Sequence, residues 1–458
     1  MSNHSTNSPS RREFLGTSGA VVAAAGLGGA LHAEDAPPPP QDIQWRYPKK
    51  KVTPIGPMDL ILQLEEGQKL ADESLIAYGT VEPANGGSGG RTMRGACMPA
   101  EACAVYYAMT GKARTLQALK SAIRTFRTYR DQARGRRVRF ENMEKPVPLD
   151  FEHYPEDKPT IEYEMGAVHV GRNMMGMRAA AHVLEDRQLL EEAADELRWW
   201  LDIPFAFNKG GHFFYGAIVC DGNGKPVRNS HGYILNMSVS LACALWLVGY
   251  DLGDERMMRY GKEAILQGLP PHQEENGYFP YIPGYKWSGP YRQDGYHGLI
   301  CQKLSLLLRY KEWRENEKFM TLFRRAVGYM RDRLWDNGMV ETKPDLVSIK
   351  ELAESKDGYA GWKPLWESTS DLALISARMH RYLGEEDAME FVHKPLRWLH
   401  WNSPSCIPFW PNDEHPGMWH LRTENSYSHC FRRIVLTAYE GIHLEQKGIR
   451  DVEAVFVA

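Results

Sequence analysis

The feature that most constrains this chain is a helical alternation repeated along nearly its whole length. A long amphipathic helix is followed by a long, aromatic-rich connection, then by a helix that is apolar most of the way round, then by a very short turn. The amphipathic helices are read at Pro57–Tyr78, Lys112–Gln132, Arg187–Leu201, Asp254–Gln267, Asn316–Trp335 and Glu386–Trp401, each with apolar residues at i, i+3, i+4 spacing. The apolar helices begin near Arg94, Glu164, Ser230, Asp294, Glu367 and Asn425. Their bodies include Leu241-Ala242-Cys243-Ala244-Leu245-Trp246-Leu247 and Leu304-Ser305-Leu306-Leu307-Leu308. A helix with one polar face belongs outside, and a helix with none belongs inside. The result is an all-α array of six αα-hairpins, one every ~60–70 residues. An open array of this kind needs a polar capping repeat at each end. Neither end carries one, so the array is expected to close into a ring, with the last inner helix beside the first pair.

Closure accounts for the length. A chain of 458 residues would otherwise divide into several domains, whereas one ring spans residues 53–450 as a single unit. Hydrophobic residues at 43% and charged residues at 25% exclude a disordered or fibrous chain. Lys+Arg 55 against Asp+Glu 58 leaves a net charge of −3, which argues against nucleic acid as the main partner. The first residues stand apart from the ring. Ser10-Arg11-Arg12-Glu13-Phe14-Leu15, the apolar stretch Val21–Leu27 and the small residues Ala30 and Ala33 read as a twin-arginine export signal over 1–36. Residues 37–52, opened by Pro37 to Pro40, read as a linker, and 451–458 as a tail. The expected location is therefore periplasmic or extracellular. No other segment is expected to reach the ~18–20 apolar residues of a membrane span. The seven cysteines form no C-x-x-C pair, and Cys97, Cys103, Cys243 and Cys301 fall in apolar helical runs, as buried small hydrophobes do.

Connection lengths distinguish the two ends of the ring. Inner-to-outer turns are short: Thr110-Gly111-Lys112, Glu185-Asp186-Arg187, Asp251-Leu252-Gly253-Asp254 and Gly384-Glu385-Glu386. Many outer-to-inner connections run to ~25–30 residues, a length that usually signals function. All of them lie where the inner helices start, so that end should carry the cleft. The third connection, His212–Val219 followed by Asp221-Gly222-Asn223-Gly224 and Pro226-Val227, reads as a β-hairpin on the rim. The fourth is Gly277-Tyr278-Phe279-Pro280-Tyr281-Ile282-Pro283-Gly284-Tyr285-Lys286-Trp287. Trp287, Trp362, Trp366, Trp410 and Trp419 also sit in these connections. Stiff aromatic faces of this kind suit the C–H faces of sugar rings; the competing reading is that they pack the loops on one another.

Three polar clusters stand at the starts of inner helices. They are Arg228-Asn229-Ser230-His231-Gly232-Tyr233, Tyr291-Arg292-Gln293-Asp294-Gly295-Tyr296-His297, and His420 to His429. Each mixes His, Tyr, Arg and an amide or acid within one or two turns. Arg94, His169, Trp287, Trp366 and Glu367 are read as substrate-binding, as are Trp419, Arg422, Glu424, Tyr427 and His429. Arg91, Glu162, Glu164, Arg172, Asn173 and Asp371 contribute more weakly. Structural readings stand beside these. Asn229, Ser230, Asp294 and Asn425 are helix-capping residue types, and Ser368-Thr369-Ser370-Asp371 fits a capping box. His231 and His297 could be satisfied core histidines, and Tyr233 and Tyr296 packed tyrosines. Asn85-Gly86-Gly87-Ser88-Gly89-Gly90-Arg91 lacks the Lys-Ser/Thr of a phosphate loop. No cofactor is required; a divalent metal is left only to His415, His420, Glu424 and His429, whose spacing matches no standard zinc site.

Six hairpins on an exported chain of this length resemble the (α/α)6 toroid of six-hairpin glycosidases and polysaccharide lyases, over essentially all of residues 50–450. The resemblance is one of architecture, without a signature motif. It implies a carbohydrate-active enzyme, first of all a polysaccharide lyase that cleaves a uronate-containing glycan by β-elimination. By that resemblance Asn229 or Arg292 would hold the carboxylate, His231 or His297 would act as base, and Tyr233 or Tyr296 as acid. A glycoside hydrolase would instead need two carboxyl groups, ~5–5.5 Å or ~6.5–9.5 Å apart, drawn from Asp294, Glu367 and Asp371. A uronyl epimerase would use the same bases as the lyase, and a non-catalytic glycan-binding ring would use the aromatic cleft alone. The expected partner is an oligo- or polysaccharide, anionic because of the arginines at the cleft end.

Overall fold

The computed structural model describes residues 93–136, 163–207, 212–220, 225–230, 234–283, 295–335, 338, 340 and 358–402. The leader, linker and tail, the first outer helix and the sixth inner helix expected from the sequence lie outside these residues. In chain order the elements are α1 (Met93–Thr110), α2 (Ala113–Arg136), β1 (Tyr163–Gly166), α3 (Ala167–Leu184), α4 (Arg187–Leu201), β2 (Ala217–Cys220), β3 (Pro226–Ser230), α5 (Leu235–Leu252), α6 (Glu255–Glu263), α7 (Gly295–Leu306), α8 (Glu317–Arg331), α9 (Gly358–Leu383) and α10 (Glu390–Asn402). The odd-numbered helices form the inner layer. α1 packs on α3, α3 on α5, α5 on α7 and α7 on α9, while each even-numbered helix covers the inner helix before it. This is the alternation that the sequence predicts.

Inner helices are enclosed on several sides, and their composition follows from that. Fourteen residues of α5 are buried, including Trp246 and Cys243. By length and composition α5 would suffice to cross a bilayer, which corrects the expectation that no such segment exists. Here its sides are covered by α3, α6 and α7, so its apolar surface is interior surface. Helix α3 approaches both neighbours through glycines. A Cβ at Gly171 would lie 2.4 Å from Ser240 O on α5, and one at Gly176 would lie 2.0 Å from Cys97 O on α1. Cys97, Cys103, Cys243 and Cys301 are all fully buried, as their apolar contexts indicate.

The short turns close one end of the ring. Glu185 and Gly253 adopt left-handed backbone (φ 54° and 70°), which stops α3 and α5. The next residue then caps the following outer helix. Asp186 Oδ1 accepts from Leu189 N at 2.9 Å and Asp254 Oδ1 from Met257 N at 3.1 Å. Above these turns Arg178 of α3 donates to both carboxylate oxygens of Asp251 and to Tyr310 Oη (2.9 Å), and His182 Nε2 lies 2.7 Å from Asp251 Oδ2. Burial alone would raise the Asp251 carboxyl; Arg178 and His182 outweigh it and hold the group below the usual carboxylate range. One buried ion pair thus ties three successive inner helices or their ends together.

The opposite end departs from expectation in three places. The rim hairpin is a three-stranded antiparallel sheet in the order β1-β2-β3, with Met165 opposite Ile218 and Ile218 opposite Asn229. Residues 163–166 therefore extend to pair with β2 where a helix start was expected, because the free edge of β2 offers their backbone groups partners. The third inner helix likewise begins at Leu235, since β3 continues through Ser230. The fifth begins at Gly358, which puts Ser368–Asp371 inside a helix and removes the capping-box reading.

His297, in the first turn of α7, ties the fourth connection to the outer layer. Its Nδ1 accepts from Phe279 N at 2.9 Å, so Nε2 carries the proton and donates to Ala326 O of α8 at 3.0 Å. Burial, joined by the nearby Arg333 charge and opposed by the Ala326 carbonyl, lowers its pKa to about 4.

Substitutions at two glycines and at His297 test this packing. Gly176→Ala should cost about 1–3 kcal/mol in chemical denaturation, because backbone must move to admit the methyl. Gly328→Ala in α8 should gain about 0.5–1 kcal/mol, since nothing lies within 4 Å of its Cβ position. For His297, a folded pKa of about 4 against the ordinary histidine value of 6.5 means that the neutral ring is the stabilising form. Its contribution is complete above about pH 6.5 and disappears as pH falls toward 4, by on the order of 3 kcal/mol. Urea unfolding at pH 7.5 and 4.5 should show a smaller stability loss in His297→Gln than in the parent; equal losses would refute the assignment.

Candidate active site

The starts of the inner helices, the rim sheet and the fourth connection share the end of the ring opposite the short turns. Leu235 N, at the head of α5, donates to Tyr281 O at 3.1 Å and so fixes that connection against the ring. The Tyr281 ring stacks on Tyr296, the second residue of α7, with centroids 4.7 Å apart and an interplanar angle of 24°. Both tyrosines are half-buried. Arg172, in the second turn of α3, is 3% exposed and close enough for its charge to act on the Tyr281 phenol. Burial raises the Tyr281 pKa, Tyr296 adds to the rise and Arg172 opposes it; the net shift is well upward. The phenol is thus held protonated, as a hydrogen-bond donor. Asn173 and Asn236, near the heads of α3 and α5, are also buried. These groups together offer an aromatic face, a protonated acid and a fixed cation.

Of the residues expected to carry catalysis, Tyr296 reaches this site. Asn229 lies on β3, half-buried, with Nδ2 3.5 Å from Phe205 O, so it belongs to the rim sheet and caps no helix. His297 does not serve as a base in this arrangement. Both ring nitrogens are taken by backbone groups, Phe279 N of the fourth connection and Ala326 O of α8, the satisfied core histidine that competed with the catalytic reading. Asp371 is corrected too. It is fully buried inside α9, and a Cβ at Gly298 of α7 would come 2.7 Å from its Oδ2 and 3.3 Å from Met330 Cε of α8. It faces the interior between α7 and α8, where it joins burial in raising the Cys301 thiol, and it is neither a cap nor a cleft acid. His231, Tyr233, Trp287, Arg292 and Asp294 lie outside the described residues, as do Trp419, Arg422, Glu424, Tyr427 and His429. Arg94, His169, Trp366 and Glu367 lie on α1, α3 and α9, with their side chains outside the description.

Two residues gained importance. Arg172 stood among weak contributors and Tyr281 was one loop aromatic among many. A signal existed: Pro280 and Pro283 bracket Tyr281 and stiffen its backbone, and an arginine one turn into an inner helix rich in apolar and small residues needs a reason to be there. No group of three His, Cys, Asp or Glu that could hold a metal occurs among the described residues.

No family model matches the sequence, and no curated protein matches it. Solved structures do match in fold. An unsaturated glucuronyl hydrolase specific for heparin aligns at TM-score 0.53 and 10% identity, covering 84% of this chain and 99% of the other. Cellobiose 2-epimerase from Bacillus thermoamylovorans aligns at TM-score 0.51 and 11% identity, covering 75% and 86%. Both are six-hairpin (α/α)6 enzymes. At these identities the likeness is one of fold, and it establishes this chain as an (α/α)6 toroid carrying a small β-sheet on its rim.

Proposed function

We propose that this protein is a carbohydrate-active enzyme that cleaves a uronate-containing glycan by β-elimination. The observation that carries the reading is the stacked Tyr281–Tyr296 pair beside buried Arg172 at the open end of the toroid. The aromatic pair suits a sugar ring, and the guanidinium suits the uronate carboxylate, whose neutralisation acidifies the C5 proton. A base removes that proton, the electron pair forms the C4–C5 double bond, and the C4–oxygen bond breaks. The protonated Tyr281 phenol supplies the proton that the departing oxygen takes up. With His297 held in the core, His231 is the remaining histidine of the inner-helix clusters proposed as base. Asn229, on the adjoining rim strand, is proposed to help hold the carboxylate. The same reading takes the leader at 1–36 to carry the protein out by the twin-arginine route. The two structural neighbours, a hydrolase and an epimerase, define the other reactions to be tested.

The test is incubation with uronate polysaccharides and, separately, with an unsaturated uronyl disaccharide, following the absorbance of the unsaturated product. A rise on the polysaccharide is expected. A fall on the disaccharide would instead indicate hydrolysis of the unsaturated sugar, and an altered sugar configuration with neither change would indicate epimerisation. Tyr281→Phe keeps the stack and removes the hydroxyl, so it should lower kcat by about 10²–10⁴ while KM stays within about threefold. A change in KM alone would reduce Tyr281 to a binding platform.

A further inference from the structure

Another arginine at the open end, Arg333, has no carboxylate beside it among the described residues. Arg333 lies just past the C-terminus of α8, with its N–H on Met330 O at 3.1 Å. Its guanidinium carbon is 4.2 Å from the centroid of the Tyr329 ring. Tyr329 in turn packs on Tyr278 and on His297, both at 5.0 Å between centroids. The cation therefore rests on a rigid aromatic base that is anchored in the ring. Its neighbours are paired: Arg331 lies 3.5 Å from Glu385 and 3.8 Å from Asp387, and Arg324 lies 3.0 Å from Glu385. Among the described residues no carboxylate is within ion-pair distance of Arg333, and its Nε is buried without an acceptor. A half-buried guanidinium left in that state carries a desolvation cost that an anion would offset.

Two residues on stands Trp335, 39% exposed, whereas Trp200, Trp246 and Trp313 are fully buried. Leu334, between the two, packs on the core and bridges Val340. Gly338 N donates to Trp335 O at 2.8 Å, which anchors the backbone at Trp335. An exposed indole two residues from an arginine with no carboxylate partner among the described residues combines the two features that recognise an acidic sugar.

We propose that Arg333 and Trp335 form a second, rim subsite for a carboxylate-bearing sugar, distinct from the Tyr281–Tyr296 site. The indole stacks on the sugar's C–H face, and the guanidinium takes its carboxylate as a fork. The subsite rests on the glycan reading above and extends it to residues beyond the cleavage point.

Binding is measured on the intact protein with tetragalacturonate and with cellotetraose, by calorimetry and tryptophan fluorescence, with melting curves for every variant. Arg333→Gln should weaken tetragalacturonate about tenfold or more and leave cellotetraose within about twofold. It should also reduce the salt dependence of acidic binding. Trp335→Ala, at an exposed position that tolerates change, should weaken both ligands, and Trp335→Phe should restore them in part. Unchanged tetragalacturonate binding in Arg333→Gln overturns the subsite and leaves the proposed reaction standing. Wild-type binding of cellotetraose alone overturns the acidic subsite, and binding of neither sugar overturns the glycan reading with it. A polyglutamate peptide that binds as tightly as tetragalacturonate would assign the arginine to an acidic protein instead.

Discussion

The structure depends on how closely the inner helices approach one another. Helix α3 lies between α1 and α5, and at Gly176 and Gly171 there is no room for even one carbon between it and the neighbouring backbones. Apolar side chains on all sides supply the driving force for that approach, and the glycines set its distance. Once the inner layer is packed this tightly, the outer helices need only one apolar face each. The helix ends then fall into two planes, one joined by short turns and one left to long connections.

The two planes divide the chemistry. At the short-turn plane, charge is neutralised within the protein: Arg178 with Asp251, Arg198 with Asp254, and Arg127 with Asp186 and Glu192. Of these, the Arg178–Asp251 pair is buried and therefore costly to break, so it holds the ends of adjacent hairpins in register, while the half-exposed pairs add less. At the open plane, Arg172 stands beside a protonated tyrosine and Arg333 rests on a tyrosine ring. Of these two cations, Arg333 has no carboxylate within ion-pair distance among the described residues.

The sequence was legible where a pattern repeats and ambiguous where a single residue decides. Periodicity located the outer helix Arg187–Leu201 to the residue, because its apolar stripe and its Asp186 cap agree. Cys97, Cys103, Cys243 and Cys301 were identifiable as core from their neighbours alone. The start of α9 was misplaced because Ser368–Asp371 has the composition of a capping box, and composition cannot show that the helix is already under way. His297 and Asp371 misled for a related reason. On a helix enclosed on several sides, a polar residue can face either the cleft or the outer layer, and a spacing of one residue separates the two directions by about 100°.

By itself the sequence determined the (α/α)6 class, the order of inner and outer helices, the turns that stop them and the end that bears the loops. These follow from local periodicity and turn chemistry, which act over a few residues at a time. Tertiary structure alone decided that residues 163–166 form a strand, that His297 is locked between Phe279 and Ala326, and that Tyr281 meets Tyr296 beside Arg172. Each of these depends on contact between segments far apart in the chain. No local pattern encodes such a contact, because the partner exists only once the ring has formed.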